Sequence, residues 1–175
     1  MKTKNLVALA LLVGMGAVLH AVMPGIVFGM KPDMMLAMMF LGIVLFPDGK
    51  SILLLSLVTG IISGLTTTFP MGLIPNIIDK PITAFIFFAL FLALKKYRTN
   101  IVSIAVLTAL GTIVSGFVFL GSAAIIVGLP GPFAALFAGV VLPAAVANTV
   151  AMVVLYPVAL TIVKRTKLTN QTVSS

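Results

Sequence analysis

At 175 residues, 61% hydrophobic and only 8% charged, with a mean hydropathy of +1.30, the chain departs from the roughly 45–50% apolar and about 25% charged balance of soluble domains. That excludes a water-soluble globule and leaves an all-α integral membrane domain of several helices in the lipid bilayer. With no cysteine it forms neither disulfides nor thiolate metal sites, and its formal charge of +8 sits in loops and tails rather than on an aromatic-interleaved face that would bind nucleic acid.

A spanning helix needs about 20 mainly apolar residues. In chain order the apolar segments are Leu6–Met23, Met34–Phe46, Ser51–Thr67, Pro81–Leu94, Ile101–Val127 and Phe133–Val163. The basic N-terminus followed by an apolar run reads as the first spanning helix rather than as a cleaved signal. Turn-forming or charged stretches separate the rest, among them `PDGK`, `KKYRTN` and `GLPGP`. The last segment is too long for a simple span. Pro143 is expected to divide it into a short outer piece and a main helix, with Pro157 as a further kink site. The prediction is a six-transmembrane-helix bundle with short second and fourth helices, forming one domain over residues 1–167, and a polar C-terminal tail over 168–175.

Six spans put both termini on one side. Lys2, Lys4, Lys50, Lys95, Lys96, Arg98, Lys164, Arg165 and Lys167 then share a face, and Lys31 and Lys80 fall on the other. The excess of Lys and Arg assigns the richer face, with both termini, to the cytoplasmic side of a multi-pass cell-membrane protein. The second and fourth segments are each about 20 Å long at 1.5 Å per residue, short of a hydrocarbon core of about 30 Å. Their outer ends are therefore expected to stop below the external surface, at Asp33 and at Asp79–Pro81. Short hydrophobic segments of this kind point to a transporter binding site.

Two stretches, `GMKPDMM` and `IPNIIDKP`, hold Lys31, Asp33, Asn76, Asp79 and Lys80. Ionisable groups in a membrane segment are costly and mark functional sites by default. Asp33 and Asp79 also read as N-caps of the second and fourth helices, with Pro81 near the first helical position. Capping leaves the lysines unexplained, because a lysine at a helix N-terminus opposes the dipole. A site for a zwitterion accounts for both signs. Asp79, or Asp33 as second choice, holds an ammonium, and Lys31 or Lys80 holds a carboxylate beside helix N-termini. Asn76 both donates and accepts. His20 lies near the outer end of the first helix, and Asn148 well inside the last, where an amide needs a partner. Phe28, Phe69 and Phe133 in outer loops, Phe85 and Phe88 in the fourth helix, and Met30, Met34 and Met71 suit a large apolar or aromatic ligand, although for any single one of them lipid or core packing is the better explanation.

Small residues four apart, at Gly60/Gly64, Ala10/Gly14, Ala17/Ala21 and Ala147/Ala151, mark close helix contacts. Catalytic readings fail. The GKS tripeptide Gly49–Ser51 has Val44 where a P-loop needs glycine, there is no HExxH or GxSxG, and three acids with one histidine are too few for a metal site. No enzyme activity and no cofactor is expected.

The combination of `MKPDMM`, the `LFP` closing the second helix, `TGIIS` with the threonines after it, and `PNIIDKP` running into a Phe-rich helix resembles the bacterial tryptophan transport protein family over essentially the whole chain. Six helices of this length are also similar to the substrate-binding S components of energy-coupling-factor transporters. The resemblance implies tryptophan as cargo. It also implies a transmembrane coupling subunit and ATPases as partners, contacted in S components through an AxxxA motif on the first helix. Its nearest equivalents here are Ala10/Gly14, with glycine for one alanine, and Ala17/Ala21. An S component for another amino acid or a vitamin, or a non-transporting membrane assembly protein, is the alternative.

Overall fold

The computed structural model describes residues 3–24, 33–94 and 100–165. Lys31, Phe28, Met30 and the tail after 165 therefore lie outside the described residues. All regular structure among the described residues is helical: α1 (Thr3–Val22), α2 (Met34–Leu45), α3 (Gly49–Thr66), α4 (Leu73–Ala93), α5 (Ile101–Ile126) and α6 (Phe133–Arg165). All except α2 are long and apolar enough to cross a membrane.

The α2 sequence, `MMLAMMFLGIVL`, carries no polar side chain, and every one of its residues is buried. A helix that is apolar all round belongs inside other helices. At about 18 Å it is too short to span, and it packs against α1, α3, α4, α5 and α6. Lipid tails are as apolar as these side chains, so close packing rather than escape from water holds α2 in place. Phe40 stacks on Phe87 of α4 with ring centroids 4.1 Å apart, and both rings press against Gly111 of α5, where a Cβ would meet Phe40 at 2.7 Å.

Local signals set the helix ends. Asp48 caps α3 by accepting from Ser51 N–H at 3.1 Å and Ser51 Oγ at 2.9 Å. Asn100 caps α5 through Val102 N–H. Gly128, with φ +88°, closes α5 by donating back to Ala123, the left-handed turn that favours glycine. The Gly60/Gly64 pair brings α3 onto α4, since a Cβ at Gly64 would lie 2.8 Å from Leu73 Cα and one at Gly60 would lie 3.0 Å from Asn76 O.

Two expectations are corrected. The fourth helix is not short. It begins at Leu73 and runs 21 residues with Pro75 and Pro81 inside it. Pro75 is its third residue, where the missing N–H has no partner in any helix, and Pro81 removes only the bond to Ile77. The second concerns how the last segment divides near Pro143: the short outer piece, Phe133–Leu136, and the main helix are joined by a continuous wider turn, without a break. Phe137–Val141 forms a π-turn, after which Leu142–Arg165 continues as α-helix. The wider turn, in which Leu142 N–H bonds to Phe137 O, relieves the proline ring of its clash with the preceding turn.

Candidate functional site

Because α4 starts early, Asp79 and Lys80 are not at a helix end. Lys80 lies about 10 Å along α4 from Leu73 and is only 2% exposed, so it is inside the bundle rather than in an outer loop. Asp79 caps nothing. Asp33 does occupy the N-cap position of α2, but its side chain makes no capping hydrogen bond and turns to the ion pair instead.

Lys80 Nζ sits between two carboxylates, 2.6 Å from Asp79 Oδ2 and 2.6 Å from Asp33 Oδ2. Asp79 is fully buried with both oxygens occupied. Ser115 Oγ of α5 donates to Oδ2 at 2.7 Å, and Thr83 Oγ1, one turn along α4, donates to Oδ1 at 2.7 Å. Asp33 is more open, its side chain 22% exposed. Its Oδ1 has only long contacts, Ser63 Oγ at 3.5 Å and His20 Nδ1 at 3.7 Å. Neither His20 ring nitrogen has a hydrogen-bond partner among the described residues. One lysine against two carboxylates satisfies the rule that a buried charge must be paired. It also ties the start of α2 to the middle of α4, and α4 to α5.

These groups line one cavity together with Asn76, Phe69, Thr112, Phe119, Leu120 and Asn148, among others. The open space among these groups, mouth and adjoining solvent included, is about 670 Å³. It lies at the end of the bundle where α2 begins and α5 ends. Its charged lining is Asp33, Asp79 and Lys80, with the His20 ring beside Asp33. Its apolar lining includes Phe69, Phe119, Leu120 and the π-turn residues Val140 and Val141. Phe69 is held edge-on against Phe119 at 5.3 Å.

Of the candidates from sequence, His20, Asp33, Phe69, Asn76, Asp79, Lys80 and Asn148 thus border a single cavity, while Lys31 and Phe28 lie outside the described residues. Asn76 has spent its Nδ2 on Gly72 O at 2.8 Å, steadying the first turn of α4. Phe85 is exposed on the outside of α4, and Phe88 packs against the core. Phe133 pairs with Phe117 and Phe137 away from the cavity, and Met71 is exposed. Sequence reasoning missed Ser63, Thr83, Thr112 and Ser115. The hydroxyls at 108, 112 and 115, spaced four and three apart on α5, share one helix face, a signal diluted by Ser103 and Ser122 on the same helix.

Among the described residues no group of His, Cys, Asp or Glu fits a metal. The arrangement suits instead a ligand bearing both charges and a large apolar body.

A helical, multi-pass membrane protein with a paired-charge cavity inside its bundle is laid out as a membrane transport protein. Comparison with known proteins narrows the class. The family model described as "Tryptophan transporter TrpP" matches residues 2–164. A "Probable tryptophan transport protein" of Bacillus subtilis (strain 168) is 61% identical over 165 residues, covering 94% of this chain and 95% of the relative. Proteins of the same description from Clostridium acetobutylicum and Clostridium perfringens are 43% and 39% identical, covering 89% and 88% of this chain and 91% and 90% of the relatives. No solved structure matches. The chain belongs to the tryptophan transporter family.

Proposed function

We propose that this protein takes up tryptophan, capturing it from outside in the α2–α6 cavity, as the substrate-binding component of a multi-subunit importer. The observation that carries the reading is that the Asp33–Lys80–Asp79 cluster lines one cavity together with Phe69 and Phe119, in a chain of this family. A zwitterion with an indole needs both surfaces.

In this reading the two carboxylates exchange roles. Asp79 has every oxygen engaged and serves to anchor Lys80. Asp33, half-satisfied and reachable, takes the ammonium. When it does, Lys80 loses one of its two partners and can turn its remaining N–H bonds to the ligand carboxylate, with His20 beside it as a second donor. Phe69 and Phe119 pack against the indole, whose burial supplies affinity. Lys4, Lys50, Lys164 and Arg165 gather at the opposite end of the bundle, which supports cytoplasmic termini and a cavity that opens outward. Ala10 and Gly14 lie exposed on α1, and Gly14 has nothing within 4 Å of a Cβ position, which leaves room for a helix of a coupling subunit. The chain has no nucleotide-binding motif, so ATP-driven uptake requires separate ATPases.

Labelled tryptophan uptake by cells making this chain or its Asp33→Asn variant tests the substrate. Equal uptake with and without the wild-type chain contradicts it. Gentle purification from native membranes tests the subunit role, which predicts a co-purifying transmembrane protein and ATPases. Accumulation of tryptophan by the chain alone in proteoliposomes under an ion gradient contradicts it.

A further inference from the structure

Asn148 is fully buried in α6, and it borders the cavity between α5 and α6. Its amide is not free to turn. Thr112 Oγ1 donates to Thr108 O at 2.8 Å, as Thr108 Oγ1 does to Ile104 O one turn earlier. The Thr112 hydroxyl proton is thereby used, and its oxygen has only lone pairs left to offer. It accepts from Asn148 Nδ2 at 3.2 Å, so the amide nitrogen faces α5 and the carbonyl oxygen is turned away from it. That oxygen, Oδ1, is cut off from water and has no donor among the described residues. An unsatisfied buried acceptor costs about 1–3 kcal/mol; this one belongs to a residue of the cavity lining, and a small shift of its neighbours on binding opens it to a neutral donor that the ligand brings.

We propose that Asn148 is the specificity-determining residue of this site, with Oδ1 accepting the indole N–H. The inference rests on the tryptophan reading above and extends it to the side chain. An ammonium is better matched to the Asp33 carboxylate, and the indole N–H is the one polar group on the tryptophan side chain. The surroundings fit a flat aromatic body. Leu120, Val140, Val141 and Ala144 line the cavity along with Asn148, and Val141 fills the place that a side chain at Gly116 would take. Thr112 acts as a positioning residue that holds the amide the right way round. A pocket that hydrogen-bonds a ligand N–H rejects the isostere without it, because its own buried polar group is then left unpaired.

The test is equilibrium binding to the purified full-length chain, using tryptophan and 3-(benzothiophen-3-yl)alanine, in which sulfur replaces the indole N–H at nearly constant shape. The wild type binds tryptophan about tenfold or more tightly than the sulfur analogue. In Asn148→Leu the ratio falls to near one, through loss of tryptophan affinity and not of analogue affinity. If Asn148→Leu does not fold, Thr112→Val decides by the same ratio, which drops if the amide has lost its anchor. A purely structural tie between α5 and α6 would weaken both ligands together and leave the ratio intact, which overturns the proposal. Equal binding of the two ligands by wild type overturns this inference alone, whereas no tryptophan binding overturns the transport reading and this inference with it.

Discussion

Replacing Lys80 with Met removes the cation but nearly keeps the length of the side chain. Two carboxylates, each 2.6 Å from the lost ammonium, then share a buried site with no counter-charge. Asp79 retains the hydroxyls of Ser115 and Thr83, but hydroxyl dipoles do not neutralise it. Breaking a buried pair by removing one partner destabilises by about 3–5 kcal/mol. For a chain of this size that corresponds to a fall of roughly 6–20 °C in apparent Tm, measured on detergent-purified protein. Adding Asp79→Asn to Lys80→Met restores part of the loss, because one of the stranded charges is gone while Ser115 and Thr83 still have an amide oxygen to bond. If Lys80→Met is as stable as wild type, or if the second substitution makes matters worse, Lys80 is not the buried counter-ion described here.

Packing and capping give two further tests. Gly64→Ala forces a methyl against the Leu73 backbone and should cost about 1–3 kcal/mol, whereas Gly14→Ala, with open space around it, should leave Tm within error; the two are compared in one thermal series. Asp48→Ala removes the α3 cap and should cost about 1 kcal/mol. The hydrogen bonds from Ser51 hold the Asp48 carboxyl below the usual carboxylate range. A depressed folded value means that its contribution is present above the unfolded pKa of about 3.9 and is lost as pH falls through the folded one. The Tm difference between Asp48→Ala and wild type should therefore be constant at neutral pH and shrink only below about pH 4.

Much of the site was legible in the sequence because charges and amides in an apolar chain are few and costly. Asp33, Asp79, Lys80, His20 and Asn148 stand out for that reason, and they border one cavity. The wrong inference was about depth. Pro75 and Pro81 read as breakers, which placed Asp79 at the mouth of a short fourth helix. A helix tolerates one proline in its first turn and survives another at the loss of one bond, so α4 starts early and carries its charges inward as part of the wall. The caps misled for a related reason: Asp33 sits at the N-cap position, yet a buried ammonium attracts a carboxylate more strongly than a backbone N–H does. Partners were the least legible feature. Spacing puts Ser115 on a face with Thr108 and Thr112, but only the packing of α4 against α5 shows that it bonds Asp79. The aromatic candidates divided for the same reason, since only packing decides that Phe69 faces the cavity while Phe85 faces outward.

The central claim is that the cavity holding Asp33, Lys80 and Asp79 is where tryptophan binds. Equilibrium titration of the purified wild-type chain with tryptophan, alongside Asp33→Asn, tests it directly. The account predicts saturable binding of one tryptophan per chain, weakened at least tenfold in a variant that still unfolds cooperatively, since a hydrogen bond to a charged group contributes about 1.5–3 kcal/mol. Absence of saturable binding to folded wild type, or equal affinity in Asp33→Asn, would contradict it.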